Sequence, residues 1–220
     1  HSQYLTGANE LVMLYLGDLV DGEDIFPSQR HCLTAPAVRQ YFAVARELEA
    51  QLLSILPLFA NSRAVGVIGN HGRIGLKDHN YFVSNWDYLV LNHMQAALAA
   101  QKNLDFQVAE SWYTTTKIRG RDFFLTHGDA CGGGQDAPAS VRRSALKWAA
   151  CMPNFDVLLT GHFHCPTWDS LGRRKVGING TVMSGYDYAE RVIKDSVPPS
   201  QKILVLDDET PDITMTDVAL

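Results

Sequence analysis

The chain has 220 residues, 46% hydrophobic and 20% charged, with a formal net charge of −5 at pH 7. That balance suits one sizeable core in a single domain, residues 1–220, and argues against a strongly electrostatic nucleic-acid binder. No apolar stretch is long enough to span a membrane, no secretory signal opens the sequence, and four cysteines (Cys32, Cys131, Cys151, Cys165) without a CxxC spacing point to reduced thiols in the cytoplasm.

The first apolar run, Leu11 to Asp18 (LVMLYLGD), predicts a buried strand that stops at a glycine turn. A polar loop, GDLVDGEDIFPSQRH, leads to an amphipathic helix from about Pro36 to about Leu56. Its apolar positions Val38, Tyr41, Phe42, Ala45, Leu48, Leu52, Ile55 and Phe59 recur at three- and four-residue spacing. Pro36 suits its first turn and Pro57 helps to end it. A second buried strand is AVGVIGNH, Ala64 to His71, followed by a helix through Phe82, Trp86, Leu89, Val90, His93, Ala97 and Leu98. Short strand-like runs around Phe106 and from Trp112 to Ile118 precede the strand DFFLTHGD, Asp122 to Asp129. A Gly-rich loop to Gln135, a short helix from Pro138 to Ala150, and the strand DVLLTGHFH, Asp156 to His164, come next. The remainder reads as strands at Thr167–Trp168, Lys175–Ile178, Lys202–Leu206 and Ile213–Thr216. Strands alternating with helices predict an α/β fold. The aromatic-rich segments (Tyr81, Phe82, Trp86; Trp112, Tyr113) are most simply core.

Four of the apolar runs end in metal-ligand residues: Asp18, Asn70 with His71, His127, and His162 with His164. Ligands in open α/β sheets collect at the carboxyl ends of strands, so these residues are expected to converge on one edge. Carboxylate, amide oxygen and imidazole form a mixed O/N set, suited to Mn, Fe, Zn, Ni or Co rather than Ca, and not to a thiolate zinc site. An Asp can bridge two ions about 3.5–4 Å apart, with a hydroxide between them that attacks phosphorus in line. No GxSxG and no P-loop offers an alternative nucleophile or phosphate cradle. The run Gly132 to Gly134 reads as an active-site loop. His31, His79 and His93 read as surface or packed side chains. Cys165 beside GHFH reads as a bystander thiol. Basic pairs at Arg119/Arg121, Arg142/Arg143 and Arg173 to Lys175 read as solvated faces.

GDLVDG, GNHGR, THGD and GHFH, in that order, resemble the calcineurin-like metallophosphoesterase superfamily. Within it, GDLVDGEDIFPSQ is similar to a segment of the small exonuclease subunit of archaeal family D DNA polymerase. GNHGR and INGTVMSGYDYAERV are similar to phage-type members. The resemblance implies a four-layer αββα sandwich holding a dinuclear centre, with Mn foremost among its metals. It implies that Asp18 bridges the two ions, that Asn70, His127 and His162 complete one site, and that His164 belongs to the other. His71 stands by the leaving group, with Asp18, Asn70 and His71 as the catalytic set. Asp21 and Asp129 are candidates for the layer behind the ligands.

Two departures matter. The family's first motif, D-x-H, is absent, and the nine residues between His1 and Leu11 are too few for a parallel crossover. The chain is therefore expected to lack the N-terminal strand and helix that carry this motif. An exposed sheet edge that favours oligomers would follow. GNH is followed by Gly72 and Arg73 rather than an acid, so Arg73 is a candidate contact to a substrate phosphate. The expected activity is metal-dependent hydrolysis of phosphate esters, as a phosphodiesterase or nuclease acting on DNA or RNA. A phosphomonoesterase or phosphoprotein phosphatase is the alternative, and a non-catalytic accessory protein retaining the fold is a third.

Overall fold

The computed structural model describes residues 7–27, 29–77, 79–132, 136–183, 198–208 and 212–220. His1, Gly133, Gly134 and the part of INGTVMSGYDYAERV from Ser184 onward lie outside the described residues. The chain divides into two compact units, His1–Thr114 and Thr115–Leu220.

The first unit is built on three parallel strands in the order β1-β2-β3: β1 (Glu10–Leu16), β2 (Asn61–Val67) and β3 (Leu104–Val108). Helices α1 (Ala37–Ile55) and α2 (Trp86–Ala97) connect them. Parallel pairing requires such crossovers, and the two amphipathic stretches supply them. Leu52 of α1 and Val90, Leu91 and Met94 of α2 are fully buried and share one core with Tyr15, Ala64 and Ile68. Each such aliphatic side chain contributes about 1.5–3 kcal/mol on burial.

Three readings of this unit need correction. β1 is half-buried apart from Tyr15, because it pairs on one side only among the described residues. Val38 and Phe42 of α1 are 48% and 61% exposed, since the core face runs through Tyr41, Ala45, Leu48 and Leu52, and they sit beside it. The second helix begins at Trp86 and not near Phe82: the Asn85 side chain accepts the Asp87 N–H and caps it there. Tyr81, 86% exposed, and Phe82, 38% exposed, therefore lie in a surface loop and not in the core.

The second unit carries a five-stranded sheet in the order β4-β5-β6-β8-β7. Its strands are β4 (Tyr113–Ile118), β5 (Arg121–Thr126), β6 (Val157–Thr160), β7 (Thr167–Leu171) and β8 (Arg174–Ile178). β5, β6 and β8 run parallel, and β7 returns antiparallel along β8. Four consecutive buried residues fill β6 and the last four positions of β5, as expected of strands covered on both faces. Helix α3 (Ala137–Cys151) buries Val141 and Ala145 and stacks Trp148 on Phe124 of β5. β9 (Ser200–Leu206) and β10 (Ile213–Ala219) form an antiparallel pair. The α/β class expected from the sequence is what is found. Among the described residues, no helix is long and apolar enough to cross a membrane.

Candidate metal centre

In the first unit the parallel register sets Leu16 of β1 opposite Val67 of β2, so the tails Gly17-Asp18 and Gly69-Asn70-His71 leave the sheet side by side. They are nearly in contact. A Cβ on Gly17 would stand 2.5 Å from the Gly69 nitrogen, and a Cβ on Gly69 would strike the Asp18 carboxylate. Asp18 Oδ1 accepts the main-chain N–H of His71 at 2.8 Å. Gly17, at φ 84°, turns the chain as the sequence predicts, whereas Gly69 is there for close approach, and Asp18 itself holds φ 54°. A left-handed φ on a residue with a side chain costs about 1–3 kcal/mol and marks functional sites.

His71 Nδ1 lies 2.9 Å from the Asp21 carbonyl and 3.4 Å from its carboxylate. A carbonyl only accepts, so Nδ1 carries the proton and Nε2 is the nitrogen left to exchange one. Burial presses the His71 pKa down, but the Asp21 side-chain hydrogen bond, the Asp18 charge and the Asp21 carbonyl outweigh it, leaving the pKa above 6.5. Asp21 is fixed in turn by Gln29, fully buried, whose Nε2 donates to the Asp21 carbonyl at 2.8 Å and to its carboxylate at 3.2 Å. Gln40 of α1 holds the same loop through the N–H and carbonyl of Gly22.

Arg73 donates from its two terminal nitrogens to the carbonyls of Asn70, 3.1 Å, and Ile25, 2.7 Å. It ties the His71 turn to the Asp21 loop. Asp87, at the start of α2 and fully buried, accepts from the main-chain N–H groups of Asp18, Leu19, Val20 and Gly69. Gln29, Gln40 and Asp87 escaped the sequence reading. Asp87 had one legible signal, an acid in the first turn of a helix, but nothing local announces that its carboxylate reaches back 69 residues to Asp18.

In the second unit Leu125 of β5 pairs with Leu159 of β6, so His127 and His162 emerge from adjacent strand ends. The Gly161 N–H donates to the His127 carbonyl at 2.8 Å. His127 is 1% exposed, and its Nε2 stands 3.2 Å from Nδ1 of His162. Two imidazole nitrogens each about 2.0–2.1 Å from one tetrahedral ion would be about 3.3 Å apart, so this pair fits a shared metal. His162 and His164 hold φ 65° and 56°. Five described non-glycine residues have positive φ, and Asp18, His162 and His164 are three of them. Strain thus gathers on residues singled out as ligands. Asp129 is exposed at the head of a short 3-10 turn, Asp129–Cys131. Of the basic pairs, Arg142 is bonded to Asp169, and Arg119 to Asp208 at 2.7 Å.

No protein-family model matches this chain, and no curated protein matches it. Solved structures similar to it include an archaeal phosphodiesterase, at 14% identity over 94% of this chain and 82% of that one, with a TM-score of 0.47. A second is the Zn-complexed Vps29 of Entamoeba histolytica, at 16% identity, 78% and 88% coverage and a TM-score of 0.38. A third is a predicted phosphoesterase from Streptococcus pneumoniae, at 10% identity, 95% and 97% coverage and a TM-score of 0.38.

Proposed function

We propose that the chain is a metal-dependent phosphoesterase, with a phosphodiester as its substrate and a DNA or RNA strand as the natural form of it. The observation that carries this reading is the His127–His162 pair, two ring nitrogens 3.2 Å apart at neighbouring strand ends. Asp18 and Asn70 in the first unit, and His164 beside the pair in the second, are the other proposed ligands, for two ions with Mn foremost. A bound divalent ion supplies Lewis acidity and lowers the pKa of water enough for attack at neutral pH.

The chain's own residues do the rest. His71, protonated on Nε2 as well as Nδ1, gives its Nε2 proton to the departing oxygen. Asp21 favours that charged form and fixes the ring plane. Arg73, committed to the carbonyls of Asn70 and Ile25, braces the loops more than it offers a fork to phosphate. Bis(p-nitrophenyl) phosphate and p-nitrophenyl phosphate, each with Mn, test the reading. Faster turnover of the diester supports it. Faster turnover of the monoester moves the chain to the phosphomonoesterases, and no turnover of either leaves an accessory protein.

A further inference from the structure

We infer that Asp87 is the positioning residue for the Asp18 carboxylate, and that metal affinity depends on it although it lies outside every ligand motif. The inference rests on Asp18 being a ligand. Asp87 Oδ2 accepts from the N–H groups of Asp18 and Gly69, both at 2.8 Å; Oδ1 accepts from those of Leu19, 3.0 Å, and Val20, 3.3 Å. One carboxylate therefore gathers four main-chain donors from the turns after β1 and β2. Charge-assisted bonds of this kind are roughly twice as strong as neutral ones. Burial makes each of them costly to lose.

The clamp acts where the backbone is least willing. Asp18 holds φ 54°, and its main-chain N–H is one of the four donors. Gly69 approaches so closely that a Cβ added there would strike the Asp18 carboxylate. Releasing Asp87 would let both turns relax and would swing Asp18 away from the His71 N–H that orients it. Asn85 locks the clamp from the other side: its Oδ1 accepts the Asp87 N–H at 2.7 Å, and its Nδ2 donates to the Gly69 carbonyl at 2.8 Å.

Asp87→Asn keeps the shape but replaces one of the two accepting oxygens with an NH2 donor, so two of the four main-chain N–H groups would face a donor. The Mn concentration for half-maximal diesterase activity should rise by about ten- to a hundredfold, as losses behind a ligand typically do. Turnover at saturating Mn should recover to within about threefold of wild type, a rescue that a merely unfolded variant would not show. A folded variant with an unchanged Mn requirement overturns the inference. Amide hydrogen exchange of the metal-free wild type covers the case in which the variant does not fold. The Asp18 and Gly69 amides should exchange about a hundredfold or more below the unstructured rate, and free exchange there overturns the clamp. A wild-type chain that neither binds Mn nor hydrolyses the diester overturns the metallohydrolase reading and the affinity role together. The exchange pattern alone then decides whether the clamp exists.

Discussion

Asp18 Oδ1 accepts the main-chain N–H of His71 at 2.8 Å, so a carboxylate at the end of β1 and an imidazole at the end of β2 are oriented by one bond. The proposed ligand and the proposed acid are thereby mechanically coupled. Substitutions that shift either turn should affect both metal affinity and proton delivery.

Gly22 is the first test of that coupling. It has φ 75°, and a Cβ there would strike the His71 carbonyl; Gly172 has φ 63° with nothing within 4 Å of its Cβ position. Gly172→Ala should cost about 1 kcal/mol, the price of the backbone conformation alone. Gly22→Ala should cost about 2–4 kcal/mol because the main chain must also move. Urea unfolding of the two variants measures the difference; equal losses would remove the close approach from the account.

The Asp21–His71 pair makes a pH statement. In the metal-free chain the His71 pKa is raised above 6.5. A raised folded-state value stabilises the fold fully below about pH 6.5 and loses that contribution as the pH rises through the folded value. Asp21→Asn should bring the His71 titration down and flatten the pH dependence of unfolding. Imidazole proton resonances followed from pH 5 to 9 report it; an unmoved titration would separate Asp21 from the acid.

The strand ends and the proposed ligands beside them were legible in the sequence. A strand that is apolar throughout and ends in Gly-Asp or His-Gly can be placed from its own residues, and Asp18, Asn70, His71, His127 and His162 all fall at or beside such ends. The supports were not legible. Gln29 and Asp87 look like ordinary polar residues, and their meaning lies in partners distant along the chain. Tyr81 and Phe82 misled for the opposite reason: aromatic side chains suggest burial, but the Asn85 cap starts the helix after them.

Arg73 separates a brace from a substrate contact. With both terminal nitrogens on carbonyls, Arg73→Ala should lower stability by about 1.5–3 kcal/mol. The Michaelis constant for the diester should change by less than about threefold. A large rise in that constant with stability intact would restore the phosphate contact.

The thiols should differ in reactivity. Burial pushes the Cys131 thiol up to about 11, whereas Cys32 and Cys151 are exposed. The thiolate is the reactive form, so iodoacetamide at pH 8 should label Cys32 and Cys151 well before Cys131. Peptide mass spectrometry reads the order, and early labelling of Cys131 would contradict its burial.

The central claim is that His127 and His162 take hold of a divalent cation. Calorimetric titration of the metal-free chain with Mn, in parallel with His127→Ala and His162→Ala, tests it most directly. At least one equivalent should bind to the wild type, with affinity in either variant down by about tenfold or more. Binding of less than one equivalent, or equal affinity in all three proteins, would contradict it.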